Sequence, residues 1–153
     1  MIILSACLCG VNCKYSGGNN LSEKAVRLFQ QGKAVLVCPE QMGGLSTPRP
    51  PCEIIGGTGA DVLDGKCRVM TINCQADVTS QFVKGAEETL RLAKKCGASL
   101  AILKSRSPSC GHGAIYDGSF TGKKIDGNGV LAELLERNGI KVITEEELDE
   151  LDI

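Results

Sequence analysis

Three short apolar runs, each leading to a cysteine, constrain this chain more than anything else in it. Ile2-Ile3-Leu4-Ser5-Ala6 meets Cys7, Ala34-Val35-Leu36-Val37 meets Cys38, and Leu100-Ala101-Ile102-Leu103 opens onto Lys104-Ser105-Arg106-Ser107-Pro108-Ser109-Cys110. Runs of this length with almost no polar alternation are the pattern of strands buried on both faces in a parallel sheet. Open parallel sheets bind ligands beyond the carboxyl ends of their strands. Three strand ends are therefore expected to bring sulfur to one edge.

The segments between the runs read as crossovers. Ser22 is placed to cap a helix carrying Ala25, Val26, Leu28 and Phe29, which Gly32 stops. Thr79 to Cys96 is the clearest helix, with Phe82, Val83, Ala86, Leu90 and Ala93 in one stripe and Gly97 at its end. Val130, Leu131, Leu134 and Leu135 mark another helix, ended by Asn138-Gly139 before a last strand, Lys141-Val142-Ile143. Glu53-Ile54-Ile55 and Cys67 to Thr71 read as a small antiparallel excursion around a polar, Gly-rich turn region. Ile115 to Gly122 reads as a turn or hairpin over the site. Glu40 to Pro51, rich in proline and glycine, is expected to be a shaped loop without helix, and Glu145 to Asp152 a short solvated helix. Strands alternating with helices imply right-handed crossovers. The expected class is α/β and Rossmann-like, a mostly parallel sheet with helices on both faces plus the antiparallel excursion.

With 153 residues, one domain over 1–153 is expected. The 17 basic and 18 acidic residues are well mixed, which leaves no electrostatic footprint for duplex nucleic acid, and 3% aromatic content without Trp argues against a single-strand stacking platform. The first residues enter a core strand with no basic leader-like region, and no apolar run approaches the roughly 20 residues of a membrane span. A cytoplasmic chain is expected, with no nucleic-acid or membrane partner. Nine cysteines in a reducing compartment, odd in number, are then metal ligands, catalysts or core residues rather than a disulfide framework.

No Gly-x-x-x-x-Gly-Lys-[Ser/Thr] motif, no Gly-x-Gly-x-x-Gly opening a helix directly after a strand and no Cys-x-x-Cys knuckle occurs. What remains is Cys7, Cys13, Cys38 and Cys110, far apart in sequence and gathered by the sheet. An iron-sulfur cluster accepts thiolates set on separate loops, and with three of them one iron stays open as a Lewis acid suited to sulfur. Glu40, just past Cys38-Pro39, is placed for acid-base work in the crevice. Ser105, Ser107 and Ser109 are either turn-capping hydroxyls or participants, and His112 between two glycines is either a satisfied histidine or a ligand. Cys52, Cys67, Cys74 and Cys96 have no convergent partners and read as structural.

Ser5-Ala6-Cys7-Leu8-Cys9-Gly10-Val11-Asn12-Cys13-Lys14-Tyr15, Cys38-Pro39-Glu40-Gln41-Met42-Gly43-Gly44-Leu45, Thr47-Pro48-Arg49-Pro50-Pro51 and Lys104 to Gly111 together resemble the thiouracil desulfidase family, long catalogued as a domain of unknown function. The resemblance runs in order over nearly the whole chain. It implies a [4Fe-4S] cluster held by three cysteines and removal of sulfur from a small thiolated pyrimidine such as 2-thiouracil by non-redox hydrolysis, an enzyme of hydrolase or lyase type. Carried over by motif, Cys7, Cys13 and Cys110 are the ligands, with Cys38 competing for one place. Glu40 is the acid-base residue and activates water, and Ser107 positions the base or relays a proton. Cys9 and Cys52 depart from the family pattern, standing where leucine and alanine are expected. The rival readings are a non-catalytic iron-sulfur or metal-binding protein, such as a sulfur carrier or redox sensor, and a small-molecule binder using Arg49, Arg106 and the glycine loops.

Overall fold

Each of the apolar runs forms a strand, and all of them join one sheet. In the computed structural model, which describes residues 1–151, β1 (Ile2–Ser5), β2 (Ala34–Val37), β5 (Leu100–Leu103) and β8 (Lys141–Thr144) lie in the order β2-β1-β5-β8. Every pairing is parallel, with Ile3 opposite both Val35 and Ala101, and Ala101 opposite Val142. The excursion is the antiparallel pair β3 (Cys52–Ile55) and β4 (Arg68–Thr71). A second hairpin, β6 (Ala114–Tyr116) and β7 (Lys124–Asp126), stands apart from both.

The sheet has no polar face because helices cover both sides. Successive strand residues point to opposite faces, so Ile3, Ala101, Leu103 and Val142 pack with Phe82 and Ala86 of α4 (Thr79–Lys95) and with Leu131 and Leu135 of α5 (Val130–Arg137). Their neighbours Leu4, Ile102 and Ile143 pack with Ala25 and Leu28 of α1 (Glu23–Gln30) and Leu148 of α6 (Glu145–Glu150). The crossover β1-α1-β2 runs outward from the central strand pair in one direction and β5-α5-β8 in the other. With the same handedness, opposite directions place α1 and α5 on opposite faces. The sheet consequently reverses between β1 and β5, and the carboxyl end of that pair is the crevice of an open α/β sheet.

Local chemistry fixes the helix ends much as expected. Ser22 caps α1, accepting the Ala25 N–H at 3.4 Å, and Gly32, Gly97 and Gly139 follow α1, α4 and α5 in the left-handed conformation. Three segments differ from expectation. Residues expected to form only a loop begin with a one-turn helix, α2 (Pro39–Met42), because Pro39 at its first position is already set to the helical φ. The turn region of the excursion holds α3 (Gly59–Leu63), where Asp61 accepts the Thr58 N–H at 2.9 Å in a capping box. The acidic tail is helical but not simply solvated: Leu148 is fully buried and Glu145 reaches inward to Lys104 and Ser105. Asp152, included in the expected tail helix, lies outside the described residues. No helix among the described residues is long and apolar enough to cross a membrane.

Candidate active site

The crevice at the reversal is closed by a serine. Ser5, the last residue of β1, accepts the Lys104 N–H at 3.0 Å and donates toward Cys110 Sγ at 3.5 Å. One hydroxyl thus ties the end of β1 to the loop after β5. Beyond it opens a pocket of about 520 Å³ lined by Cys7, Cys13, Cys38 and Cys110 together with Glu40, Ser107 and Ser109. Of the candidates named from the sequence, the four cysteines, Glu40, Ser105, Ser107 and Ser109 reach this one space. Cys7 sits in a 3₁₀ turn (Ala6–Cys9) that continues β1, Cys13 in the following loop, Cys38 at the cap of α2, and Cys110 in the turn after β5.

Burial governs the thiols. Removal from water disfavours the charged form, so the Cys110 thiol, entirely enclosed, is pushed up to about 12 despite the Ser5 hydroxyl. Burial raises Cys7 as well, against a hydrogen bond from Asn20. The Cys13 and Cys38 thiols interact, which lowers Cys38 to about 7 and raises Cys13, while Cys38 Sγ also donates to the Cys13 carbonyl oxygen at 3.7 Å. The charge of Cys7 is felt at both Cys13 and Cys110. All nine thiols are free. Among the described residues no three His, Cys, Asp or Glu side chains are spaced for a single metal ion. Four sulfurs distributed around one cavity, rather than focused on a point, suit a multi-iron cluster better than a mononuclear site.

Glu40 is held on both oxygens. Oε1 accepts from Arg49 Nε at 3.0 Å and Oε2 from Ser109 Oγ at 2.8 Å. The ion pair is enclosed, with side-chain exposures of 15% for Glu40 and 5% for Arg49. Arg49 also donates to the Cys13 carbonyl at 2.9 Å, joining the carboxylate to the cysteine loop through one guanidinium. Ser107 Oγ accepts the backbone N–H groups of Ser109 at 3.2 Å and Cys110 at 3.1 Å and lies 2.9 Å from Ser109 Oγ. A carboxylate only accepts, so with the Ser109 proton directed at Glu40 the Ser107 hydroxyl is left to donate to Ser109. The result is a chain, Ser107 to Ser109 to Glu40.

Ser109 is the residue the sequence did not distinguish from its neighbours. Only the tertiary approach of α2, 69 residues earlier, selects it. Cys52 also lines the pocket, contrary to a purely structural reading, with its thiol pushed up to about 12 by burial. Cys9, Cys67, Cys74 and Cys96 do not line it. His112 is turned away toward Glu136, at 2.8 Å, and is satisfied there. Arg106 reaches the rim but is paired with Glu146.

The chain is similar to known proteins along nearly its whole length. Residues 2–147 match the model of the family described as 2-thiouracil desulfurase. The chain is 52% identical over 151 residues, 99% of each chain, to the uncharacterized protein YbbK of Bacillus subtilis (strain 168). A solved structure of a [4Fe-4S]-dependent thiouracil desulfidase, TudS, is similar with a TM-score of 0.84 and 42% identity over 98% of this chain and 93% of that one.

Proposed function

Since this chain belongs to the 2-thiouracil desulfurase family, we propose that it hydrolyses the thiocarbonyl of a thiolated pyrimidine such as 2-thiouracil at the β1/β5 crevice, with a [4Fe-4S] cluster held by Cys7, Cys13 and Cys110. The single observation that carries the reading is Glu40, a carboxylate fixed on both oxygens inside a thiol-lined pocket. A sulfur carrier or redox sensor has no use for it. The donor set fits the cofactor: three buried thiols from separate loops, with Cys38 in contact with Cys13 and therefore competing for that one place. When bound, the cluster supplies an iron without a protein ligand, a Lewis acid for the substrate sulfur.

The protein's own part is positioning and proton handling. Water and thiocarbonyl give carbonyl and hydrogen sulfide; the C–S bond breaks, a C–O bond forms, and no electrons are gained or lost. Glu40 takes a proton from the attacking water, and the Ser109 and Ser107 hydroxyls carry a proton between Glu40 and the ring or departing sulfur. Arg49 holds the carboxylate in place against the Cys13 loop. Lys104 and Glu145, paired at 2.9 Å, act on the Cys7 thiol in opposite directions, the cation favouring the thiolate and the carboxylate opposing it.

The test is release of sulfide and uracil from 2-thiouracil by anaerobically cluster-loaded protein. Glu40→Gln is expected to lose about 10²- to 10⁴-fold in turnover, the usual worth of general acid-base help, with iron content and visible absorbance unchanged. A Gln variant that turns over within tenfold of the parent removes Glu40 from the chemistry, and a parent that releases no sulfide removes the activity.

A further inference from the structure

Aromatic side chains are scarce in this protein and concentrated at one place. It has two Tyr, three Phe and no Trp. Phe82 is buried in the core and Phe29 is exposed on α1. The other three, Tyr15, Tyr116 and Phe120, all line the thiol pocket. Such a distribution is not needed to stabilise the fold, whose two cores are built almost entirely from aliphatic residues.

The backbone around Phe120 is organised to present it. Phe120 has φ +58°, a left-handed conformation that glycine adopts freely and a phenylalanine does not. Strained positions of this kind cluster at ligand clamps. It is held there by Glu53 of β3, whose Oε1 accepts the N–H groups of Gly118 at 2.9 Å and Phe120 at 3.2 Å. Gly118, at φ +91°, lies so close to β3 that a Cβ would stand 2.5 Å from the Ile54 carbonyl oxygen. The β6–β7 hairpin has no ladder to the main sheet. Its base is tied by one bridge between Arg106 and Ile115, which is buried in the core, and its tip is held over the pocket by the Glu53 carboxylate and the Gly118 contact.

We propose that Phe120, with Tyr116, forms a stacking wall that selects a flat heterocyclic ring in this pocket, and that Glu53 is the positioning residue that holds the wall in place. The identity of the ring, a thiolated pyrimidine, rests on the desulfidase reading; the wall itself rests on the hairpin. Stacking of a base on an aromatic side chain is worth about 5- to 150-fold in affinity, and a leucine of similar bulk retains only the apolar contact.

The experiment is calorimetric titration of cluster-loaded protein with uracil, alongside KM and kcat for 2-thiouracil. Phe120→Leu is expected to weaken uracil about tenfold and raise KM by a similar factor with kcat changed less than threefold, while Phe120→Tyr stays within threefold of the parent in all three. Glu53→Ala is expected to raise KM in the same way, and Glu53→Gln, which keeps an acceptor oxygen, to restore it. If Phe120→Leu loses iron, Tyr116→Leu serves as the second variant with the turn unaltered. A parent that binds uracil but releases no sulfide overturns the activity and leaves the wall standing. Uracil affinity within twofold of the parent in the leucine variant, or no uracil binding by the parent, overturns the wall.

Discussion

Gly85→Ala is expected to lower both stability and turnover, although its effect on a helix considered alone has the opposite sign. Gly85 lies in the middle of α4, where alanine is favoured over glycine by about 1 kcal/mol. Space decides otherwise. A Cβ at Gly85 would sit 1.8 Å from the Pro39 carbonyl oxygen, and one at Gly43 1.9 Å from that of Gln81, so α2 and α4 touch backbone to backbone. Real Cβ atoms keep at least 3.0 Å, so the two helices must part by 1.2 Å or more. Backbone cannot swing aside as a flexible side chain does, and overpacking of this kind costs about 1–3 kcal/mol. Set against the propensity gain, the net loss is about 0–2 kcal/mol, which at 2–4 °C per kcal/mol for a domain of this size lowers Tm by at most about 4–8 °C. The functional effect is larger, because α2 carries Cys38 at its cap and Glu40 in its first turn. A catalytic group displaced by about 1 Å can lose 10²-fold. Calorimetry of the iron-free chain and sulfide release by the loaded chain check the two effects separately. An alanine variant with a higher Tm would refute the backbone contact, and one that melts lower yet turns over normally would detach Glu40 from the position of α2.

The remaining predictions concern sulfur. Cys110→Ala is expected to lose most of the bound iron after anaerobic loading, measured as iron and acid-labile sulfide per chain, whereas Cys9→Leu keeps it because Cys9 does not line the pocket; equal iron in both variants would exclude Cys110 as a ligand. In iron-free protein, alkylation of Cys38 mapped by mass spectrometry should rise with pH around a midpoint near 7, while Cys110, pushed up to about 12, stays unreactive through pH 8. The sign for stability follows from the same shift: Cys38 binds its proton less tightly folded than unfolded, so its contribution is present above the ordinary thiol value of 9.0 and is lost as pH falls through about 7. Cys13, raised by the same interaction, opposes it at the alkaline end. A Cys38 midpoint above 8.5 would contradict the interaction of the two thiols.

The sheet was legible because apolar runs without alternation have few other uses, and each of those at residues 2, 34, 100 and 141 became a parallel strand. The convergence of Cys7, Cys13, Cys38, Cys110 and Glu40 on one pocket followed from strand ends, whereas Ser107 was singled out only by the family resemblance. Hidden features depended on partners distant in sequence. Ser109 is distinguished from Ser105 and Ser107 only by α2 arriving against it. Glu53 reads as one more polar strand residue until the β6–β7 tip lies across it. Pro39 to Met42 was obscured by the surrounding prolines and glycines, although a proline at the first position of a helix is well placed. Cys52 looked structural because its strand belongs to the excursion, and nothing in the sequence says that the excursion folds back to the pocket rim.

The hydroxyl of Ser5 that closes the crevice also sets an order of events during synthesis. Its partner Cys110 lies 105 residues downstream, and β1 gains its second neighbour only when Leu100 to Ile102 have been made. At about 5–20 residues per second, a ribosome takes roughly 5–20 s to cover that distance. Through that interval Cys7 and Cys13 hang on an unfinished chain with neither Cys110 nor the Ser107–Ser109 turn beside them. The proposed ligand set of Cys7, Cys13 and Cys110 is complete only once residue 110 has been made. On the proposed ligand set, cluster loading therefore follows synthesis of the loop after β5.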